Sequence, residues 1–444
     1  MKSHRSNANA NAAHGLAGQS DSPRARCTRL AWAGAMPLAL LLAACGGGSD
    51  SPASADPAKP VPVVGSATGV FTDAAVQGVA YTTSSGVTGT TDAQGRYSYN
   101  PNDTVSFKLG ALALGSAPAT AIVTPLELAG GSANRLQNLL VLLQSLDDDG
   151  VPGNGIKIAP AAAAALAASI DLGAPPVGFA SSANAGLLAA MTAGGIGRAV
   201  TSIDASKAHF LAQSQSLLAS RIWVSPASAS AVMVTRIASN GESLGAEIGT
   251  AGDGGTSGLE YGSVLATAVD ARGFKTRASM QIDTNGAWGL SASGPCERVR
   301  VVGDQLLWTN ATGDCTATTE SGTLTKAEND PAGLVGVWAL DSATQVKTQT
   351  FVFWASGKYL MLDPVGDTQN HCGGPGVEYG SYSYNASSQD FKVLGVTVDT
   401  NGCAGLSDPG NTGLASFKLT LAADGKSATA VSGAESFTLF RVSN

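Results

Sequence analysis

A multidomain, β-rich chain with one small all-α domain is the fold class that this sequence predicts. Two observations carry it. Most of the chain breaks into short alternating stretches between Gly, Asn and Asp turns, which suits 55 glycines and only 13% charged residues. Between positions 119 and 221 the apolar period lengthens to that of a helix. The expected order is an N-terminal β-sandwich at 63–118, a helical domain at 119–221, and antiparallel β domains at 222–330 and 331–444, the last barrel-like.

In the first β segment, 104–109 (Thr-Val-Ser-Phe-Lys-Leu) alternates polar and apolar as a half-buried strand does. Stretches 76–81 and 95–99 alternate in part, and 91–95 carries turn chemistry. In the helical segment, Leu136, Leu139, Leu140, Leu143 and Leu146 share one helical face, with Ser132 or Asn134 as cap. Shorter helices are expected at 159–169 and 184–193. A longer one at 204–221 places Ala208, Leu211, Leu217 and Leu218 along one side. Further on, Asn285-Gly286 between Met280–Ile282 and Ala287–Leu290 predicts a tight hairpin. Turns at 356–357, 401–402 and 424–425 space the strands of the last domain.

The leader stands apart from these domains. An apolar run at 30–44 follows Arg24, Arg26 and Arg29 and ends in Leu42-Ala43-Ala44-Cys45. A basic flank, a short apolar core and small residues at its end read as a secretory signal peptide over 1–44, too short to span a bilayer. The polar stretch before Arg24 is long for such a leader, which places the expected translation start downstream of Met1. The end of the run resembles the lipobox of bacterial lipoproteins. That resemblance implies that Cys45 is the lipidated first residue of the mature protein. It also implies two or three acyl chains, enough for stable anchoring where one is not. Gly46 after the cysteine implies the outer membrane. Residues 45–62 are then a lipidated cysteine and a flexible Gly, Ser and Pro tether.

Removing the leader takes five basic residues and one acidic residue, leaving 21 against 32. A chain about 11 charges negative, with no Lys/Arg cluster, disfavours nucleic acid and anionic surfaces as partners. The partners expected are the membrane, through the lipid, and a protein or glycan ligand.

Four cysteines remain beyond Cys45: Cys296, Cys315, Cys372 and Cys403. An even number in an exported chain reads as disulfides. Of three pairings, Cys296–Cys315 and Cys372–Cys403 keep each pair within one β region. Zinc is the rival reading, but no Cys-x-x-Cys occurs and only His371 lies near a cysteine.

Two further resemblances concern the modules. Gly89-Thr90-Thr91-Asp92-Ala93-Gln94-Gly95-Arg96-Tyr97 resembles a stretch of carboxypeptidase-regulatory-like, transthyretin-type β-sandwiches. It implies a hairpin shaped by Asp92 and Gly95, with the aromatic residue in the core, and a spacer or binding module. Gly336-Val337-Trp338 resembles the opening of lipocalin-type, or calycin, barrels, and Phe440-Arg441 falls where that family stacks an arginine over its tryptophan. A guanidinium over an indole closes such a barrel, so Trp338 and Arg441 are expected to meet. A small apolar ligand inside this last barrel is one function the resemblance implies.

Among sites for chemistry, Asp147-Asp148-Asp149-Gly150 with Asn154 offers hard oxygen donors, and Asp147, Asp149 and Asn154 are the candidate Ca²⁺ ligands. Otherwise no cofactor is expected. Counted from Asp147, an EF-hand loop fails at Val151, Pro152 and Ile158. His209 beside Phe210 reads as structural. Gly194-Gly195-Ile196-Gly197 lacks the strand and spacing of a nucleotide loop. Glu378 and Asp399 could form an acid/base pair, though nothing in the sequence brings them together. No catalytic constellation is legible. Two function classes stay open: a non-enzymatic, lipid-anchored binding protein of adhesin-like layout, and an envelope enzyme such as a glycan hydrolase using Asp/Glu.

Overall fold

The structure, a computed structural model, describes residues 64–444 apart from 226–230, 250–255, 287–288, 293–295, 313–316, 367–372, 409–412 and 443–444. It is β-rich, with six helices and two closed eight-stranded antiparallel barrels among the described residues.

The chain opens with β1 (Ala67–Phe71), β2 (Val76–Gln77), β3 (Ala80–Thr83), β4 (Thr88–Thr90), β5 (Arg96–Tyr99), β6 (Thr104–Leu109), β7 (Leu112–Pro118) and β8 (Ile122–Val123). One sheet has the order β4-β3-β6-β7 and a second β5-β1-β8. Phe71 and Phe107 stack between them at 4.7 Å, and Tyr97 meets Phe107 edge-on at 5.3 Å. The turn before β5 has a local cause. Asp92 accepts from the backbone N–H of Gln94 (3.0 Å) and of Arg96 (2.9 Å). Gly95 sits at φ +70°, where a Cβ would strike Val76 N at 3.0 Å. Tyr97 then enters the core, and its hydroxyl donates to Thr120 O at 2.6 Å.

The helices are α1 (Pro125–Leu128), α2 (Ala133–Ser145), α3 (Pro160–Ala165), α4 (Pro176–Phe179), α5 (Ala185–Ala193) and α6 (Ile203–Ala219), with β9 (Ile156–Lys157) between α2 and α3. Ser132 caps α2 and Ser202 caps α6. The expectation of one apolar face on α2 is too narrow, because every residue from Leu136 to Ser145 is buried. A helix buried all round needs cover on all sides. Accordingly the helices share one continuous apolar cluster with the sandwich (Phe71, Phe107) and the next domain (Trp223, Phe274). β9 even pairs in parallel with β2.

The first barrel runs β10 (Ile222–Val224), β11 (Val232–Ile237), β12 (Glu242–Ile248), β13 (Gly258–Asp270), β14 (Gly273–Asp283), β15 (Arg298–Val302), β16 (Gln305–Thr312) and β17 (Ala317–Lys326), closed by β10 against β17. Among the described residues no strand follows the hairpin signal Asn285-Gly286. β14 ends at Asp283, and the chain enters a 3-10 turn, Gly289–Ala292, before β15 pairs with β14. Tertiary contacts override the local signal here.

The second barrel uses β18 (Gly336–Leu340), β19 (Thr350–Phe353), β20 (Lys358–Asp363), β21 (Gly376–Asn385) and β22 (Asp390–Asp399). A small ladder of β23 (Ser407–Asp408) and β24 (Gly413–Leu414) lies outside its wall. β25 (Ser416–Leu421), β26 (Ser427–Ser432) and β27 (Glu435–Arg441) complete the barrel, closed by β18 against β27. The period of two sorts its side chains. Trp338, Phe351, Phe353 and Phe391 join an inner cluster. Val337, Ala339, Val352 and Leu360 join an outer one with Val224, Val234, Leu244 and Leu259 of the first barrel. The barrels are thus joined wall to wall by apolar contact. No helix among the described residues is long and apolar enough to cross a membrane.

Candidate functional site: the lumen of the first barrel

Alternation on β11, β12 and β13 sends Val234, Leu244, Ala246, Ile248, Leu259 and Tyr261 to the outer cluster. The intervening Met233, Thr235, Glu247 and Glu260 therefore face inward. The lumen holds a cavity of about 320 Å³, within the range of small-molecule sites. Its walls are mainly apolar, including Ile237, Val264, Leu306, Trp308 and Leu324. Polar atoms come from Thr235, Thr276, Glu247 and Glu297, and among the described residues no lysine or arginine lines it.

The register orients this cavity. β10 leaves α6 at Ile222, and β11 returns to that end at Ile237. Leu218 of α6 supplies a floor there, and the Trp223 indole N–H donates to Leu218 O at 2.9 Å. Glu247 near the end of β12 and Glu260 near the start of β13 belong to the opposite mouth, while Glu297 precedes β15, which meets β14 at Phe274 near the α6 end. The 3-10 turn Gly289–Ala292 crosses that mouth. Glu260 holds it by accepting from Leu290 N (2.5 Å) and Ser291 N (2.9 Å). Burial raises the Glu260 carboxyl above its ordinary range, although these hydrogen bonds oppose the shift. Gly289 is required for so close an approach: it sits at φ +84°, and a Cβ would meet the Glu260 carboxylate. Leu290 is thereby turned into the cavity wall.

The second barrel differs. Rings fill its interior: Phe353 and Tyr382 lie 5.0 Å apart, Phe391 and Phe417 4.8 Å, and Phe417 and Phe437 5.7 Å. The cavity described above lies in the first barrel and not in the last, for which the calycin resemblance implies a ligand. Trp338 and Arg441 come together as register partners on β18 and β27, with the guanidinium 4.2 Å from the indole centroid.

Glu378 and Asp399 also come together, as register partners on β21 and β22. Glu378 is fully buried. It accepts from the Tyr359 hydroxyl and from Ser407 N at 2.9 Å. Burial raises its carboxyl, and the Asp399 charge adds to the shift. With both oxygens engaged and no exposure, it serves the β23 loop rather than a substrate.

The Asp147–Asp149 carboxylates converge, with oxygens within 4.8 Å of one another. Each is engaged inside its own loop. Asp147 accepts from Lys157 N at 3.0 Å, Asp148 pairs with the Lys157 ammonium at 2.7 Å, and Asp149 accepts from the Asn154 amide at 2.8 Å. Arg198 donates to Ser145 O at 3.1 Å and to Asp147 O, capping the end of α2. The Asn154 bond holds the Asp149 carboxyl low, while burial pushes Asp147 up. Asn154 turns nitrogen, not oxygen, toward Asp149. The three carboxylates remain close enough to share a cation.

His209 is structural in its contacts: its Nε2 lies 2.8 Å from Asp73 O. Gly194 and Gly195 end α5. Cys45, Cys315, His371 and Cys372 lie outside the described residues. Cys296 is buried and Cys403 half-buried.

No protein-family model matches the chain, and no curated protein matches it significantly. Among solved structures, the DNA polymerase III β subunit from Pseudomonas aeruginosa overlaps 53% of this chain at 9% identity, with a TM-score of 0.09. The overlap spans 62% of that chain and carries no argument about fold or function.

Proposed function

We propose that this chain is a lipid-anchored cell-envelope binding protein, not an enzyme, that holds a small and largely apolar molecule in the first barrel. The observation that carries the reading is the lumen itself, mainly apolar on its walls with a few polar groups among them. The expected result is that the neutral dye N-phenyl-1-naphthylamine binds the protein with enhanced fluorescence. Val264→Trp, which fills the lumen, should reduce that binding at least tenfold while the circular dichroism spectrum stays unchanged. Dye binding unaffected by Val264→Trp, or no binding to the wild-type protein, overturns the reading.

The anchoring half of the proposal rests on the Leu42–Cys45 resemblance. It places the protein on the outer membrane through acylated Cys45. We also propose the pairs Cys296–Cys315 and Cys372–Cys403. Two neighbourhoods support them. The β15–β16 register sets Arg298 opposite Thr309, which puts Cys296 level with Ala311, four positions before Cys315 in the sequence. A Cβ on Gly373 would collide with Asn401 and Ala404, which brings the chain next to Cys372 beside Cys403. Peptide mass spectrometry of the membrane-extracted, unreduced protein checks both points. The expected peptides are an acylated one starting at Cys45 and the two cross-linked pairs; an unmodified Cys45 or a Cys315–Cys372 link refutes them.

A further inference from the structure

We infer that the loop between α2 and β9 binds a divalent cation, Ca²⁺ by its donor chemistry, through the carboxylates of Asp147, Asp148 and Asp149. This site is separate from the lumen and does not depend on it. The backbone gives the loop a fixed frame. Asp147 bridges to Ile158, and Asp148 N donates to Lys157 O at 2.9 Å. β9 pairs in turn with β2 of the sandwich. The frame brings the three carboxylates together, with oxygens within 4.8 Å of one another. Like charges this close repel unless something positive lies between them.

A second observation points to a ligand. Asp147 is fully buried; its Oδ1 accepts from Lys157 N at 3.0 Å, and its Oδ2 has no hydrogen-bond partner. Burying a carboxylate oxygen unpaired is costly, and the neighbouring carboxylates add repulsion. A cation shared by the three removes both costs, whereas a neutral donor removes only the first. The basic groups nearby leave that oxygen alone. Arg198 gives its guanidinium to the carbonyls of Gln144 (3.2 Å), Ser145 (3.1 Å) and Asp147. The Lys157 ammonium pairs with Asp148 at 2.7 Å, but its side chain is 63% exposed, and so open a pair is weak enough to yield. Asp149 accepts from Val151 N and the Asn154 amide, each at 2.8 Å, and a carboxylate has lone pairs to spare beyond two such bonds. Asn154 is then a positioning residue. The group contains no His or Cys, which selects a hard ion, and an irregular loop suits Ca²⁺ better than Mg²⁺ with its near-ideal octahedron. Bound there, the ion would tie the end of α2 to the β9–β2 pair.

The test titrates the full-length protein, stripped of metal by a chelator, with CaCl₂ and with MgCl₂ in a calorimeter. Ca²⁺ should bind at one site with a Kd of about 10⁻⁴–10⁻³ M, the range of extracellular modules, and Mg²⁺ at least tenfold more weakly. Saturating Ca²⁺ should raise the Tm, since the folded state alone presents the site. Asp147→Asn and Asp149→Asn should each weaken Ca²⁺ binding at least tenfold and abolish the rise in Tm. If Asp147→Asn fails to fold, Asp149→Asn, at an exposed residue, carries the test. No binding heat and no Tm shift with Ca²⁺ in the wild-type protein overturns the site and leaves a proton shared between Asp147 and Asp149 in its place. Ca²⁺ binding unchanged in a folded variant also overturns it. Mg²⁺ binding as tightly as Ca²⁺ overturns the choice of ion.

Discussion

Replacing Trp338 with alanine is expected to cost about 3–5 kcal/mol, the range for truncating a large buried aromatic. Trp338 is fully buried inside the second barrel, and its indole N–H donates to Leu334 O at 2.8 Å. Arg441→Ala should cost about 2–4 kcal/mol, because the guanidinium does more than stack. It donates to Gly425 O (2.6 Å), Asn329 Oδ1 (2.6 Å), Val335 O (3.0 Å) and Gly333 O (2.6 Å). Its loss would leave those acceptors short of donors at the barrel's end. Arg441→Lys should recover less than half of the loss, since an ammonium cannot copy the planar fork. Urea unfolding of the three variants measures this. An Arg441→Ala cost below about 0.5 kcal/mol, the scale of an ordinary surface substitution, would show the arrangement to be incidental.

A second variant should act in the opposite direction. Asp73 is fully buried; its Oδ2 accepts from the Gln144 amide at 3.0 Å, and its Oδ1 lies 3.6 Å from His209 Nε2. Burial raises its pKa well above the ordinary value, and burial likewise lowers His209. A neutral imidazole gives the carboxylate no compensating charge. The folded state therefore binds the Asp73 proton more tightly than the unfolded chain does. That contribution is complete below the unfolded pKa near 3.9 and is lost as pH rises toward the folded value. Asp73→Asn removes the dependence. It should stabilise the protein by about 1–3 kcal/mol at pH 8 and change little at pH 4. Thermal unfolding across pH 4–8 checks this; a Tm gain independent of pH would mean that the charge is not the cause.

Both variants bear on what could be read from residues alone. The meeting of Trp338 with Arg441 was legible because a barrel joins its first and last strands, so two distant signals close one ring. Asp92, Gly95 and Tyr97 were legible because their chemistry is local to one turn. The lumen was not. Whether Glu247 faces inward depends on the register of β12 between its neighbours, and a one-residue slip would put it outside. The pairing of Glu378 with Asp399 was hidden for the same reason. Asn285-Gly286 misled because a carboxylate 25 positions earlier, Glu260, captures the chain that follows it. The helical segment looked independent since periodicity reports one face, whereas α2 is enclosed on every side.

The pairing of β1 has a mechanical consequence. This is the first described strand, and it is hydrogen-bonded along both edges, antiparallel to β5 from Ala67 to Val70 and parallel to β8 at Val70 and Phe71. Consider a pull applied at Ala67 along the strand axis. The bonds on both edges then carry the load together in shear instead of opening one after another like a zipper. Tension from the anchor proposed at Cys45 would reach these doubly paired edges before the helices and the barrels.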